Sequence, residues 1–337
     1  MQGPVPADTP GMNAAFRSWI LLAALAAGCS SIPARSGRPA TTPDAGTLLR
    51  VQIAEAGHAV QRVRLEDYVR AAVLSELSMP AGDPDVVARM MEVQAVVART
   101  YALANRGRHA GQGFDLCSAT HCQLYQPSRL RTSRWAAVVN EAVRQTAGEV
   151  LWHAGAPAAA LFHADCGGHT STSVNAWGGT ARPYLRAVRD DGPAESAHAE
   201  WTYSVPMTTI LVALNDDPRT RVGSRLDTVR IVERDVSGRA ATVALHGREE
   251  RLVRGEDLRA VLTRRLGSRA IRSTLFDVRR DGMAFVFEGR GFGHGVGLCQ
   301  AGALARIRAG AQPADVLQRY FPGTIVEGVR SSHGAGR

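Results

Sequence analysis

The sequence predicts an α+β fold. Helix-period apolar stripes and short alternating segments are intermixed along the 337 residues rather than strictly alternating. Turn signals such as Ser237-Gly238 and Asp281-Gly282 join neighbouring apolar runs into hairpins. No internal repeat is present, and after the N-terminal region no run of apolar residues is long enough to cross a bilayer.

The first residues read as an address. Arg17 precedes the apolar run Trp19 to Ala27, and Gly28-Cys29-Ser30-Ser31 supplies small residues for cleavage. The ending Leu25-Ala26-Ala27-Gly28-Cys29 resembles a bacterial lipobox, which implies cleavage before Cys29 and a lipid on its thiol. Residues 30 to 47, rich in Ser, Pro, Gly and Thr, read as a flexible linker.

Strands are expected from Thr47 to Ile53 and from Val60 to Val63, followed by a helix from Leu65 to Leu77. A longer helix runs from about Asp85 to Asn105, with Asp83 or Asp85 as its cap and Pro84 near its first turn. Residues 106 to 128 form a loop, Ser133 to Thr146 a helix, and Val150 to His163 strands around a Gly-Ala-Pro turn. Residues 164 to 200 are loop-rich. Leu226 to Leu252 reads as a β-meander, Arg254 to Leu266 as a helix, and Phe276 to Glu288 as a hairpin. Helices are expected at about Val296 to Ala309 and from Pro313 to Tyr320.

The formal net charge of +9 comes from 40 basic residues, all arginine. They are scattered, with only short clusters such as Arg264-Arg265, and no basic run interleaves with aromatic residues. No nucleic-acid partner is therefore expected; the excess suits either an anionic polymer or lipid surface or a compositional bias towards arginine.

Three constellations carry chemistry. On the helical wheel of Leu65 to Leu77, Glu76 falls inside the stripe formed by Leu65, Tyr68, Val69, Ala72, Val73 and Leu77. A carboxyl facing a core or cleft is desolvated, its pKa rises, and it becomes able to give and take protons near neutrality. The opposing reading is a helix-end glutamate that curls out to water. The second constellation is Cys117-Ser118-Ala119-Thr120-His121-Cys122. Two thiols and an imidazole suit zinc, with His109 the nearest fourth donor and Cys166 or His169 alternatives. Disulfides of Cys117 or Cys122 with Cys166 or Cys299 stand beside that reading.

The third is a pair of glycine-rich segments, Phe162 to Thr170 and Gly289 to Gly297. Glycine at every second position leaves one bare strand face, open to another backbone or to a sugar ring. His163, Asp165 and His169 also allow a metallohydrolase reading, although no helical metal motif accompanies them. His294 on its own reads as core.

Four blocks, taken in order, resemble the SpoIID/LytB family: Tyr68 to Glu76; Glu92 to Ala102; Phe162 to Thr170 with Pro183 to Val188; and Gly289 to Ala303 followed by Tyr320-Phe321-Pro322-Gly323-Thr324. The resemblance covers roughly residues 48 to 328. It implies a two-lobed domain with a cleft, holding a β-meander-rich insertion over about 205 to 285 and followed by a short tail, 329 to 337. It also implies a peptidoglycan lytic transglycosylase, which cuts the MurNAc–GlcNAc bond without water and leaves a 1,6-anhydro end, with intact or peptide-stripped strands as the candidate substrates.

By that resemblance Glu76 is the catalytic acid–base, and Arg99, Tyr184 and Arg186 matter for activity. His163, Gly167, Gly168, Thr170, Gly293, His294, Gly295 and Gln300 are expected at the glycan, and Cys117, His121, Cys122 and His109 around a structural zinc. The implied setting is a lipoprotein anchored through Cys29, facing the periplasm or the cell surface. The rival expectation is a module without catalysis that binds glycan or activates a cell-wall amidase. On the helical wheel, Arg99 lies opposite the main apolar face of its helix.

Overall fold

The computed structural model describes residues 46–77, 82–190, 196 and 198–327. The expected signal segment, Cys29, most of the linker and the tail lie outside the described residues. The predicted α+β class is what the chain adopts: among the described residues, helices are interspersed with small, mostly antiparallel sheets.

Strands β1 (Leu48–Ile53) and β2 (Ala59–Arg64) form an antiparallel hairpin. Gly57 and His58, both at positive φ, reverse the chain between them. On the other edge of β1 lies β3 (Leu116–Cys117), parallel, with Gln52 opposite Cys117. This pairing brings the cysteine loop alongside the N-terminal sheet. Helix α1 (Leu65–Glu76) follows β2 directly and buries Leu65, Tyr68, Val69 and Ala71 to Leu74. Helix α2 (Pro84–Ala104) begins as the sequence predicts: the Asp83 carboxylate accepts from the Asp85 amide at 2.9 Å, and Pro84 occupies the first turn, where no N–H is needed.

Two hydrophobic cores result. The first gathers α1, α2, helix Ala136–Gln145, strand Val150–His153 and helices Gln300–Arg308 and Pro313–Tyr320. Because α2 is covered by several of these elements, Val93 to Ala102 is buried without interruption. The second core lies within 201–287. It joins the meander Leu226–Arg234, Ala240–Gly247 and Glu250–Arg254 to helix Gly255–Leu266 and to a sheet of Trp201–Pro206, Phe276–Asp281 and Ala284–Gly289. Helix Met207–Asn215, which carries β-branched Thr208 and Thr209 in its first turn, also packs there. Hydrogen bonds tie the two cores together: Arg239 Nη2 donates to the Cys166 carbonyl at 2.6 Å, Arg254 Nη1 to the Trp177 carbonyl at 2.5 Å, and the Ser171 hydroxyl to Asp235.

The helix expected from about Val296 begins only at Gln300. Gly295 and Gly297 sit at φ +78° and +75°, outside the helical region, and Leu298–Cys299 instead pairs in parallel with Phe162–His163. A Cβ on Gly297 would lie 2.1 Å from the Leu161 carbonyl oxygen. Gly297→Ala is therefore expected to cost at least about 2 kcal/mol, read from urea unfolding curves.

Candidate active site around Glu76

Glu76 is the last helical residue of α1, part-buried, with Leu77 beyond it extended and closing the helix. Its Oε1 accepts the backbone N–H of Leu124 at 2.6 Å, and one residue earlier on α1 the Ser75 hydroxyl accepts the N–H of Gln126 at 2.9 Å. Between these two contacts Tyr125 stacks on Tyr68, with ring centroids 4.9 Å apart. Segment 124–126 is thus clamped along the end of α1. Among the described residues no hydrogen bond to Oε2 is present.

Desolvation raises the Glu76 pKa from its ordinary value to about 7, against the lowering effect of the Leu124 amide. Three buried polar side chains, Tyr68 on α1, Tyr101 on α2 and Gln123 beside Leu124, have side-chain polar atoms without hydrogen-bond partners. Both phenols lie within electrostatic reach of Glu76, and burial holds them in the neutral form. Sequence reasoning did not single these out. The i, i+4, i+8 spacing of Tyr68, Ala72 and Glu76 was the available signal.

The donors of the cysteine loop converge immediately upstream. One ligand atom each from His109, Cys117, His121 and Cys122 lies within 4.8 Å of the others. His109 Nε2 is 3.2 Å from Cys122 Sγ, and His121 Nδ1 is 3.8 Å and 3.7 Å from the two sulfurs. The sulfur of Cys122 and the ring of His121 hold the Cys117 thiol well below its usual range, while Cys122 is pushed up, so the pair favours a shared single proton. Two thiols and two imidazoles at these separations fit a tetrahedral zinc ion. Of the alternative fourth donors, the structure brings His109 to the loop; Cys166 belongs to a different group. Only Gln123 separates Cys122 from Leu124, so an ion held here would brace the amide that touches Glu76.

The other predicted residues are placed apart. Arg99 is fully buried, contrary to its position on the helical wheel, because α2 is enclosed all round. Its Nε and Nη2 donate to the two oxygens of Glu66 at 2.8 Å and 2.7 Å, and Nη1 donates to the Glu149 carbonyl at 3.1 Å. Tyr184 is buried, with its phenol accepting from the Ala159 amide at 3.0 Å. Arg186 is exposed and lines a surface depression with Asp315, Gln318 and Arg319.

Most of the glycine-segment residues serve packing. His163, Thr170 and His294 are buried. Thr170 Oγ1 accepts the Val188 amide at 2.8 Å, and the glycines admit neighbours that a Cβ would strike: His163 against Gly293 and the Arg239 guanidinium against Gly295. The bare strand face therefore receives protein. Gln300 donates to the Gln94 side chain at 3.3 Å. Gly167 and Gly168 remain part-exposed and line a cavity of about 530 Å³ with His169, Arg189, Glu200 and Arg290.

Comparison with known proteins bears on this arrangement. Residues 54–153, which span α1, α2 and the cysteine loop, match the family model SpoIID, described as stage II sporulation protein. Residues 198–297 match a second family model, a domain of unknown function, DUF8618, which coincides closely with the second core. The chain is homologous to stage II sporulation protein D of Bacillus amyloliquefaciens, with 27% identity over 80% of this chain and 76% of the relative. It is similar at 28% identity to a protein of Brachyspira hyodysenteriae, over 83% of this chain and 71% of that one. It also resembles the amidase enhancer of Bacillus subtilis, with 25% identity over 70% of this chain but only 37% of the relative. The SpoIID match thus contains Glu76, Arg99 and all four loop donors, while Tyr184, Arg186 and both glycine-rich segments lie beyond it.

Proposed function

We propose that this chain is a cell-wall enzyme, a peptidoglycan lytic transglycosylase whose general acid–base is Glu76. The observation that carries the reading is the Glu76 carboxyl, with one oxygen fixed by the Leu124 amide, the other without a hydrogen bond among the described residues, and a pKa near 7. In the neutral form, Oε2–H donates to the glycosidic oxygen between MurNAc and GlcNAc as that bond breaks. The resulting carboxylate then takes the proton of the MurNAc 6-hydroxyl, whose oxygen closes on the anomeric carbon. One group can serve both steps when its pKa lies close to the pH at which it works, and burial moves Glu76 towards neutrality.

His109, Cys117, His121 and Cys122 would hold a structural zinc ion, which supplies charge and cross-linking to the loop; the proton transfers stay with Glu76. Zinc analysis of the purified chain is expected to find one ion bound to this loop, lost in Cys122→Ser with a lower melting temperature. The setting that goes with this function is an exported lipoprotein anchored through Cys29.

The second reading is activation of a cell-wall amidase, favoured by the likeness to the amidase enhancer. Release of soluble fragments from labelled peptidoglycan separates the two. An enzyme releases them alone. An activator releases them only when a purified wall amidase is added, and its Glu76→Gln variant works as well as the native chain.

A further inference from the structure

A second cluster of metal-type donors lies away from Glu76, where the two glycine-rich segments meet. A ring nitrogen of His163 and the sulfurs of Cys166 and Cys299 lie within 4.8 Å of one another, and all three side chains are buried. The parallel pairing that sets Cys299 opposite His163 brings them together. Both thiols are free.

Three features distinguish this group from an ordinary packed core. His163 Nδ1 faces the Val296 carbonyl at 3.2 Å, which fixes the proton on Nδ1. The lone pair is therefore on Nε2, which is buried with no hydrogen-bond partner. A histidine whose outer nitrogen donates to a backbone carbonyl is the usual state of a metal ligand. Next, Cys299 Sγ accepts two backbone N–H groups, from Cys166 at 3.2 Å and from Gly302 at 3.3 Å; the second belongs to the first turn of helix Gln300–Arg308. Burial and the neighbouring Cys166 sulfur nevertheless push the Cys299 thiol up, so these amides orient the sulfur and a bound cation would be needed to hold it as the thiolate.

Lastly, Arg239 is 2% exposed and anchored to the Cys166 carbonyl, yet its Nε and Nη1 have no partner. The acids within its electrostatic reach, Glu256 and Asp235, are committed elsewhere, to Arg259 and to Ser171 and Ser237. A buried guanidinium left this way calls for an anion beside it.

We propose that His163 Nε2, Cys166 Sγ and Cys299 Sγ form a buried binding site for a soft, thiophilic metal ion, with Arg239 balancing its charge. Binding releases the two thiol protons. The Cys166 proton now faces Asp190 Oδ2, 3.6 Å away, and that carboxylate keeps Arg306 and Tyr320 as partners after the proton leaves. Two thiolates and a neutral imidazole around a monovalent ion carry one net negative charge, which the guanidinium offsets. Among the described residues no fourth His, Cys, Asp or Glu joins the group. Three-coordination by soft donors suits Cu(I), and Zn(II) is the divalent competitor. The ion would pin strand Phe162–His163 to strand Leu298–Cys299.

The test uses the full chain with Cys117→Ser and Cys122→Ser, which silence the first donor group, and Cys29→Ser. The reduced protein is titrated anaerobically with Cu(I) buffered by a chromogenic chelator and, separately, with Zn(II), and the stoichiometry is read by native mass spectrometry. One equivalent of either ion, with affinity reduced about 100-fold or more by Cys299→Ser, supports the site, and the ratio of the two affinities identifies the metal. His163→Gln, which keeps both thiols, should weaken binding in the same direction even where Cys299→Ser disturbs folding. Two results overturn the proposal. One is a mass 2 Da below that of the reduced chain in the protein as isolated, which makes the pair a disulfide. The other is metal binding by the folded chain that neither substitution changes.

Discussion

Glu76→Gln is expected to lower glycan cleavage by about 100-fold or more while leaving the fold intact. The amide keeps an oxygen to accept the Leu124 N–H but can neither donate a proton to the leaving oxygen nor remove one from the 6-hydroxyl. The pH profile carries a second signature of the same group. The first step needs the neutral carboxyl, whose pKa is about 7 because the site desolvates it. The rate constant for substrate capture should therefore fall as pH rises through about 7, and the small residual activity of Glu76→Gln should not show that limb.

Stability responds in the same window. The folded chain holds the Glu76 proton up to about pH 7, whereas the unfolded chain releases it near the ordinary value of 4.5. Between those limits the folded state binds more protons, so this group's contribution to stability is full below pH 4.5 and declines as pH rises to 7. The melting temperature of Glu76→Gln should lack this component of the decline.

Removing Glu66 should produce the largest stability loss. Glu66 is the bidentate partner of Arg99, whose guanidinium is fully buried. Glu66→Ala leaves that charge without a counter-ion in the core, at a cost of about 3–5 kcal/mol in denaturant unfolding. Replacing both members together, Glu66→Leu with Arg99→Met, should recover most of the loss, because the desolvation of both charges disappears with them. Below its melting temperature this double variant should cleave glycan at close to the native rate. A stable double variant that is inactive would show that Arg99 acts at the sugar and not through the packing of α1 on α2.

The contrast between Glu76 and Arg99 shows what the sequence could reveal. The Glu76 stripe was legible because α1 is buried along one side, and a 3.6-residue period then maps directly onto environment. The same wheel misplaced Arg99 because α2 is enclosed by neighbours that are distant in sequence, so its polar side is buried too. The metal loop was legible in part: Cys117, His121 and Cys122 announce themselves by proximity, and His109 joins them through the turn before β3. The Leu124 contact had no signature at all, since any residue supplies a backbone N–H. The alternating glycines predicted a bare strand face but not its occupant, which is the chain's own His163 and Arg239. The same positive-φ glycines delay the helix that the apolar pattern alone would start at Val296.

The central claim is that Glu76 alone moves the protons of a transglycosylation. It is tested most directly by the ends of the products. The purified native chain and its Glu76→Gln variant are incubated with intact and with peptide-stripped glycan strands, and the fragments are read by mass spectrometry. The native chain is expected to leave 1,6-anhydro ends, about 18 Da lighter than hydrolysed ends by the loss of one water, and the variant to leave almost none. Hydrolysed reducing ends, or equal amounts of product from both proteins, would contradict the account.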